Sequence, residues 1–73
     1  MSNIDIPLED KVLCALERNP RLARRNLRFE TQEGRVTLLG VVRTYYEKQI
    51  AQETLRHVEG IEEIHNELEV TWA

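Results

Sequence analysis

The sequence has one cysteine, one phenylalanine, one tryptophan, two tyrosines and no long apolar run. A single cysteine excludes an internal disulfide, and we expect Cys14 to be a small, partly buried residue of a helix. No apolar segment approaches the roughly 18 residues that a membrane-spanning helix needs. The acidic amino terminus has no signal-peptide core, which predicts a cytoplasmic protein, or a periplasmic or envelope protein if the sequence is a trimmed piece.

Lysine is scarce as well, because eight of the ten basic residues are arginines, and the net charge is −3. Residues 18–28 carry five arginines and no acid, whereas residues 59–69 carry five glutamates and neither lysine nor arginine. The negative net charge, the lack of aromatic residues among the arginines and the absence of a GxxG loop argue against nucleic acid. We therefore expect no nucleic-acid partner.

The length of 73 residues allows one domain with a small core. The sequence has no internal repeat, low-complexity tract or linker. We therefore predict a single domain over residues 1–73, with a core at about residues 8–72.

The first helix is predicted from apolar residues at three-four spacing between Leu8 and Arg18. Pro7 suits the first helical position, and the Asn19-Pro20 pair ends the helix because the residue before proline avoids the α region. Residues 20–26 are predicted to be a connector, with room for one helical turn. Residues 27–32 then alternate between apolar and polar, which predicts the first strand.

The second strand is predicted over residues 36–42, where alternate residues form one apolar face. Glu33-Gly34 before it is a tight hairpin turn. Gly40 lies in the middle of the strand, where glycine is costly unless another element approaches the backbone closely. We expect that element to be the helix that crosses the sheet.

The second helix begins at a capping box formed by Thr44 and Glu47. Its apolar stripe continues to Val58, and Gly60 predicts a left-handed cap at its end. Of the two tyrosines in its first turn, one is expected to pack over the sheet edge and the other to be exposed.

The last strand follows, because Ile64, Leu68, Val70 and Trp72 share one face. Asn66 falls on that apolar face and is predicted to bond to nearby backbone. The opposite face carries three glutamates and one histidine, which is typical of a solvated surface, and we predict no metal site there.

These elements resemble the BON domain family, a module named from bacterial osmotic-shock and nodulation proteins. The matching residues are Gly-x-Val-x-Leu-x-Gly over 34–40, Ala51 on the helix, and Val-x-Gly-Ile-x-x-Ile-x-Asn-x-Leu-x-Val over 58–70. The resemblance covers residues 8–70. It implies a module that binds phospholipid or membrane surfaces, and it brings no catalytic residues.

The predicted fold is α+β, in the order α-β-β-α-β, with a three-stranded sheet and two helices packed on one face. The other face is open. The position of the third strand in the sheet is left undecided, because it depends on which neighbour that strand joins.

Two functions are carried forward, neither of them enzymatic and neither needing a cofactor. The first is weak binding of anionic phospholipid through four arginines, namely Arg21, Arg24, Arg25 and Arg28. The alternative for these arginines is a solvated loop with ion pairs to glutamates. The second function is protein interaction or homo-oligomerisation through Leu39 and Val41 on the open face, unless the arms of Arg28 and Arg35 cover them. The residues predicted to be structural are Gly34, Gly40, Thr44, Glu47, Gly60 and Asn66.

Overall fold

The helical and alternating segments of the sequence form six elements in chain order: α1 (Leu8–Glu17), α2 (Pro20–Ala23), β1 (Arg28–Gln32), β2 (Arg35–Val42), α3 (Tyr45–Arg56) and β3 (Glu63–Val70). The computed structural model describes residues 6–25 and 27–71, and the predicted role of Trp72 lies outside them. The predicted α+β fold and its element order are confirmed. The helical turn expected in the connector is α2.

The three strands form one sheet in the order β1-β2-β3. β1 and β2 pair antiparallel, with Arg28 opposite Leu39, and β2 and β3 pair parallel, with Gly40 opposite Leu68. The third strand therefore joins β2, and the sheet is mixed. A parallel pair needs a crossover connection, which α3 supplies.

The core lies between one face of the sheet and the helices. Val36, Leu38 and Val42 of β2 are fully buried there, together with residues of all three helices and of β3, namely Val12, Leu16, Leu22, Ala51, Leu55 and Leu68. The even-numbered residues of β1 and the odd-numbered residues of β2 and β3 point the other way, and most of them are exposed. We call this second surface the open face.

The β1–β2 hairpin turns at Glu33 and Gly34, whose φ angles are 50° and 85°. Two consecutive positive φ angles are typical of a type I′ turn, which matches the twist of the flanking strands. The carbonyl of Gly34 also accepts from the backbone amides of Glu62 (2.7 Å) and Glu63 (3.2 Å). The hairpin turn is thereby tied to the start of β3.

The close neighbour of Gly40 is a leucine from the chain leading into β1, and the expectation of a crossing helix was wrong. A Cβ atom at Gly40 would lie 3.2 Å from Cδ2 and 3.5 Å from Cα of Leu27. Leu27 comes directly before Arg28, which pairs with Leu39, so it reaches β2 at the level of Gly40. Its side chain occupies the space that a side chain at Gly40 would need.

The end of α3 also differs from the prediction. The helix ends at Arg56 with His57 as its C-cap, before Val58. Gly60 has a φ of 102°, but it lies in a turn in which the amide of Ile61 donates to the carbonyl of Val58 (3.5 Å). Because Val58 and Ile61 both pack against the core, the chain leaves the helix early and turns between them.

Two expectations about burial were wrong. Cys14 is exposed, because it lies about 200° around the helix from Val12, which points into the core. Tyr45 and Tyr46 are both exposed, at 63% and 60%. The buried residue of the first turn of α3 is the charged Glu47, at 2% exposure.

The start of α3 is held by a hydrogen bond from the backbone amide of Glu47 to Oγ1 of Thr44 (3.0 Å). Losing such a cap typically costs about 1 kcal/mol. We expect Thr44→Ala to lower the free energy of unfolding by this amount in urea titrations. Thr44→Ser keeps the hydroxyl and serves as the control. An alanine variant as stable as the parent would contradict this role for Thr44.

Candidate functional site

The basic segment is placed by α2. Asn19 caps this helix through a hydrogen bond from the amide of Arg21 to its Oδ1 (3.0 Å), and Pro20 occupies the first turn. The turn brings three of the four predicted arginines to one open depression of about 440 Å³. Its lining consists of Asn19, Pro20, Arg21, Arg24, Arg25 and Glu47. Arg28, the fourth arginine, lies apart from them on β1 and belongs to the open face.

Arg25 forms an ion pair with the buried carboxylate of Glu47. Its Nε and Nη2 atoms donate to Oε1 and Oε2 of Glu47 at 3.1 and 2.7 Å. The backbone amide of Arg43 donates to the same Oε1 at 3.0 Å. The hydrogen bonds from Arg25, followed by the bond from the Arg43 amide, lower the pKa of Glu47 below its ordinary value. Arg25 is thus largely neutralised, and it fits the ion-pair alternative better than the phosphate-binding one.

Only the Thr44 half of the predicted capping box is formed, because the backbone partner of the Glu47 carboxylate is the amide of Arg43 and not that of Thr44. The Glu47 carboxylate reaches back to the amide of Arg43, one residue before the N-cap Thr44, and it binds α2 to α3 through Arg25. Sequence reasoning missed this ion pair because its partners are 22 residues apart. One signal in the sequence could have indicated this ion pair. Residues 18–28 contain no acid, so any carboxylate that pairs with their arginines must come from another segment.

The accessible positive charge at this depression is on Arg21 and Arg24, which are both exposed. The guanidinium carbon of Arg21 lies 5.6 Å from the ring centroid of Tyr46, within the range of a cation–π contact. The arrangement offers two guanidinium groups and an exposed phenol to solvent, beside a carboxylate that is already bonded. Such a surface can attract anions.

The second candidate surface is the open face. Leu39 is half-buried and Val41 is 47% exposed. Arg35 does not cover them, because its Nε donates to Oε1 of Glu63 (3.3 Å) at the other end of β2. Arg28 and Glu67 flank Leu39 on the two sides, and Glu69 lies beside Val41. At the level of Leu39, the open face thus has an apolar centre between the basic Arg28 and the acidic Glu67.

The remaining polar groups of β3 have structural partners. Nδ2 of Asn66 donates to the carbonyl of Lys48 (2.8 Å) and ties β3 to α3. Nε2 of His65 lies 2.7 Å from Oε2 of Glu63, and this hydrogen bond is the main cause of the lowered pKa of Glu63. Among the described residues, no group of three histidine, cysteine, aspartate or glutamate side chains is placed to hold a metal ion.

Within residues 6–25 and 27–71, no helix has the length and apolar character needed to span a membrane. A family model described as BON domain matches residues 5–71 of the chain. No curated protein matches the sequence. The family match covers nearly the whole chain, including every helix and strand of the structure.

Proposed function

Because the chain belongs to the BON domain family, a class of binding modules without catalytic groups of their own, we propose that it binds the phosphate groups of anionic phospholipids. The observation that carries this proposal is the exposed pair Arg21 and Arg24 at one depression. Guanidinium groups present donors that match phosphate oxygens. The neighbouring carboxylate of Glu47 is already occupied by Arg25, so it competes less for these two arginines.

The strength of this binding follows from how many arginines can take part. A basic residue near an anionic membrane contributes about 1 kcal/mol. Four arginines would contribute ~4 kcal/mol, but Arg25 is paired with Glu47 and Arg28 lies on the open face. Two arginines leave ~2 kcal/mol, which corresponds to a dissociation constant of tens of millimolar. We therefore propose a weak, reversible association, to which the exposed ring of Tyr46 adds an interfacial contact.

We expect part of the chain to float with phosphatidylglycerol vesicles at low salt and tens of millimolar lipid, a concentration that matches the expected affinity, and none with phosphatidylcholine vesicles. Binding should decline steeply as salt shortens the Debye length, which is about 10 Å at 0.1 M. Arg21→Gln combined with Arg24→Gln should abolish flotation and leave the melting temperature within about 2 °C, because both side chains are exposed.

The matched control removes the same charge elsewhere. Arg35→Gln combined with Arg56→Gln changes two exposed arginines that pair with Glu63 and Glu53. This control variant should keep most of the flotation. If the wild type does not float with fully anionic vesicles at low salt and tens of millimolar lipid, or if both double variants lose flotation equally, the proposed lipid site is wrong.

A second candidate function is protein interaction through the open face. Val41 is nearly half exposed next to Leu39, on the face that α1 and α3 leave open. Contiguous exposed apolar side chains rimmed by polar residues mark interaction sites, and Leu39 and Val41 are the aliphatic pair on this face. The charged residues around them indicate what kind of partner fits.

A further inference from the structure

The open face has an ordered arrangement of charge across its three strands. In the row of Leu39, the outward residue of β1 is Arg28 and that of β3 is Glu67. Adjacent strands lie about 4.8 Å apart, so Arg28 and Glu67 are separated by roughly 10 Å across β2. At the level of Leu39 one side of the apolar centre is therefore basic and the other acidic, with Glu69 extending the acidic side past Val41. The next outward residue of β1, Glu30, lies one row further from Val41, beside Thr37.

We propose that the open face binds a second copy of this chain, with the two sheets face to face and the twofold axis parallel to β2. This inference rests on the second candidate function, interaction through the open face, and is independent of lipid binding. Rotation about such an axis exchanges the β1 edge and the β3 edge of the sheet, and it keeps each residue at the same height along the strands. It places β1 of each copy over β3 of the other, and thus Arg28 of one copy over Glu67 of its partner, twice.

The same axis places the apolar centres of the two copies face to face. Leu39 and Val41 lie on the middle strand, so each faces its counterpart in the second copy. Sheets packed in this way lie about 10 Å apart and are rotated by roughly 30°. The long side chains of Arg28 and Glu67 can span the small offset that this rotation produces at the outer strands.

Two other twofold arrangements oppose like charges. An axis that lies across the strands, at the height that keeps Leu39 and Val41 over each other, places β3 over β3 and brings Glu67 and Glu69 of the two copies together. Pairing the two β3 edges side by side in one continuous sheet also opposes the outward residues of β3, three of which are glutamates. Like charges directly opposite each other destabilise strand pairing. The charge pattern therefore favours the axis parallel to β2.

The size of the face sets the strength of the contact. β2 and β3 have eight residues each and β1 has five, which gives a footprint of roughly 330 Å² at about 3.3 Å per residue and about 4.8 Å per strand. A standard stable interface buries about 800 Å² per partner. We therefore expect weak self-association, with a dissociation constant on the order of 0.1–1 mM.

Sedimentation equilibrium of the full chain at up to about 1 mM and low salt tests this arrangement, in the range where such weak dimers form. Wild type should associate. Arg28→Glu alone and Glu67→Arg alone should each weaken association at least tenfold, because each opposes two pairs of like charges. An equimolar mixture of these two variants should associate again. In the mixed dimer, the two substituted residues face each other and the two native residues face each other.

Matched controls make the same charge changes away from the open face. Arg18→Glu and Glu17→Arg alter exposed residues at the end of α1, and both should associate like wild type. Leu39→Asp combined with Val41→Asp replaces the apolar centre and should abolish association through this face in any orientation, while the fold is kept.

The outcomes distinguish a failure of the proposed twofold dimer from a failure of protein interaction through the open face. A wild type that is monomeric at 1 mM overturns both. If Leu39→Asp with Val41→Asp abolishes association but the mixed variants fail to associate, the open face is an interface and the proposed twofold is wrong. If the α1 controls weaken association as much as Arg28→Glu and Glu67→Arg, the charge pairing is wrong. Vesicle flotation is scored separately, because Arg21 and Arg24 are unchanged throughout.

Discussion

Replacing Gly40 by valine is expected to leave the domain largely unfolded. Gly40 has a φ of 136°, and holding a side-chain-bearing residue in such a region costs about 1–3 kcal/mol. The added methyl groups would press on Leu27, whose Cδ2 is already within 3.2 Å of a Cβ atom at this position. Overpacking of this kind costs about 1–3 kcal/mol more. A core this small rarely supplies more than about 3–5 kcal/mol.

Circular dichroism in urea measures this loss, and two further variants divide it into its causes. Gly40→Ala carries mainly the backbone strain and should be less destabilised than Gly40→Val. Adding Leu27→Ala to Gly40→Ala, which remains measurable, should cost less than the sum of the two single changes, because the contact of Leu27 with the new Cβ atom is relieved. A Gly40→Val protein that melts within a degree or two of the parent would show that the close approach of Leu27 has no energetic weight.

Replacing Glu47 by alanine is expected to lower the free energy of unfolding by about 2–3 kcal/mol, somewhat less than the loss of a fully buried ion pair, because Arg25 is partly exposed. The variant leaves the Arg43 amide without its carboxylate acceptor and the 28%-exposed Arg25 without its partner. Arg25→Gln should cost nearly as much, because it strips the buried carboxylate of its two side-chain donors.

Arg24→Gln is the matched control, since it changes an exposed arginine of the same segment and should alter stability by less than about 0.5 kcal/mol. Urea titrations of the three variants give the comparison. Equal losses for Arg24→Gln and Arg25→Gln would mean that the segment responds to its total charge and not to the Glu47 ion pair.

The same ion pair makes stability depend on pH. The pKa of Glu47 in the folded chain is lowered from its ordinary value of 4.5, first by Arg25 and then by the Arg43 amide. A lowered pKa means that the carboxylate stabilises the fold above about pH 4.5 and that this contribution is lost as the pH falls through the folded-state pKa. Glu47→Gln does not titrate, so its melting temperature should fall less than that of the wild type between pH 5 and pH 3. Parallel pH profiles would contradict the link.

The element types were determined by the sequence alone, and the reason is that their causes are local. The alternation over residues 36–42, the Thr44 hydroxyl three residues before Glu47 and the Glu33-Gly34 turn each act within a few residues. Hydrophobic periodicity also decided which face of β2 is buried, because a strand turned over would bury its polar side. The BON family match over residues 5–71 agrees with this local pattern.

Only the tertiary structure determined which residues that lie far apart in the sequence contact each other. Arg25 pairs with Glu47 over a separation of 22 residues, Leu27 rather than a helix approaches Gly40, and β3 joins β2 and not β1. Each outcome depends on how the helices and the sheet pack together, which residue spacing does not encode. The opposite charges of Arg28 and Glu67 were visible in the sequence, but only the strand register places them on the two sides of Leu39.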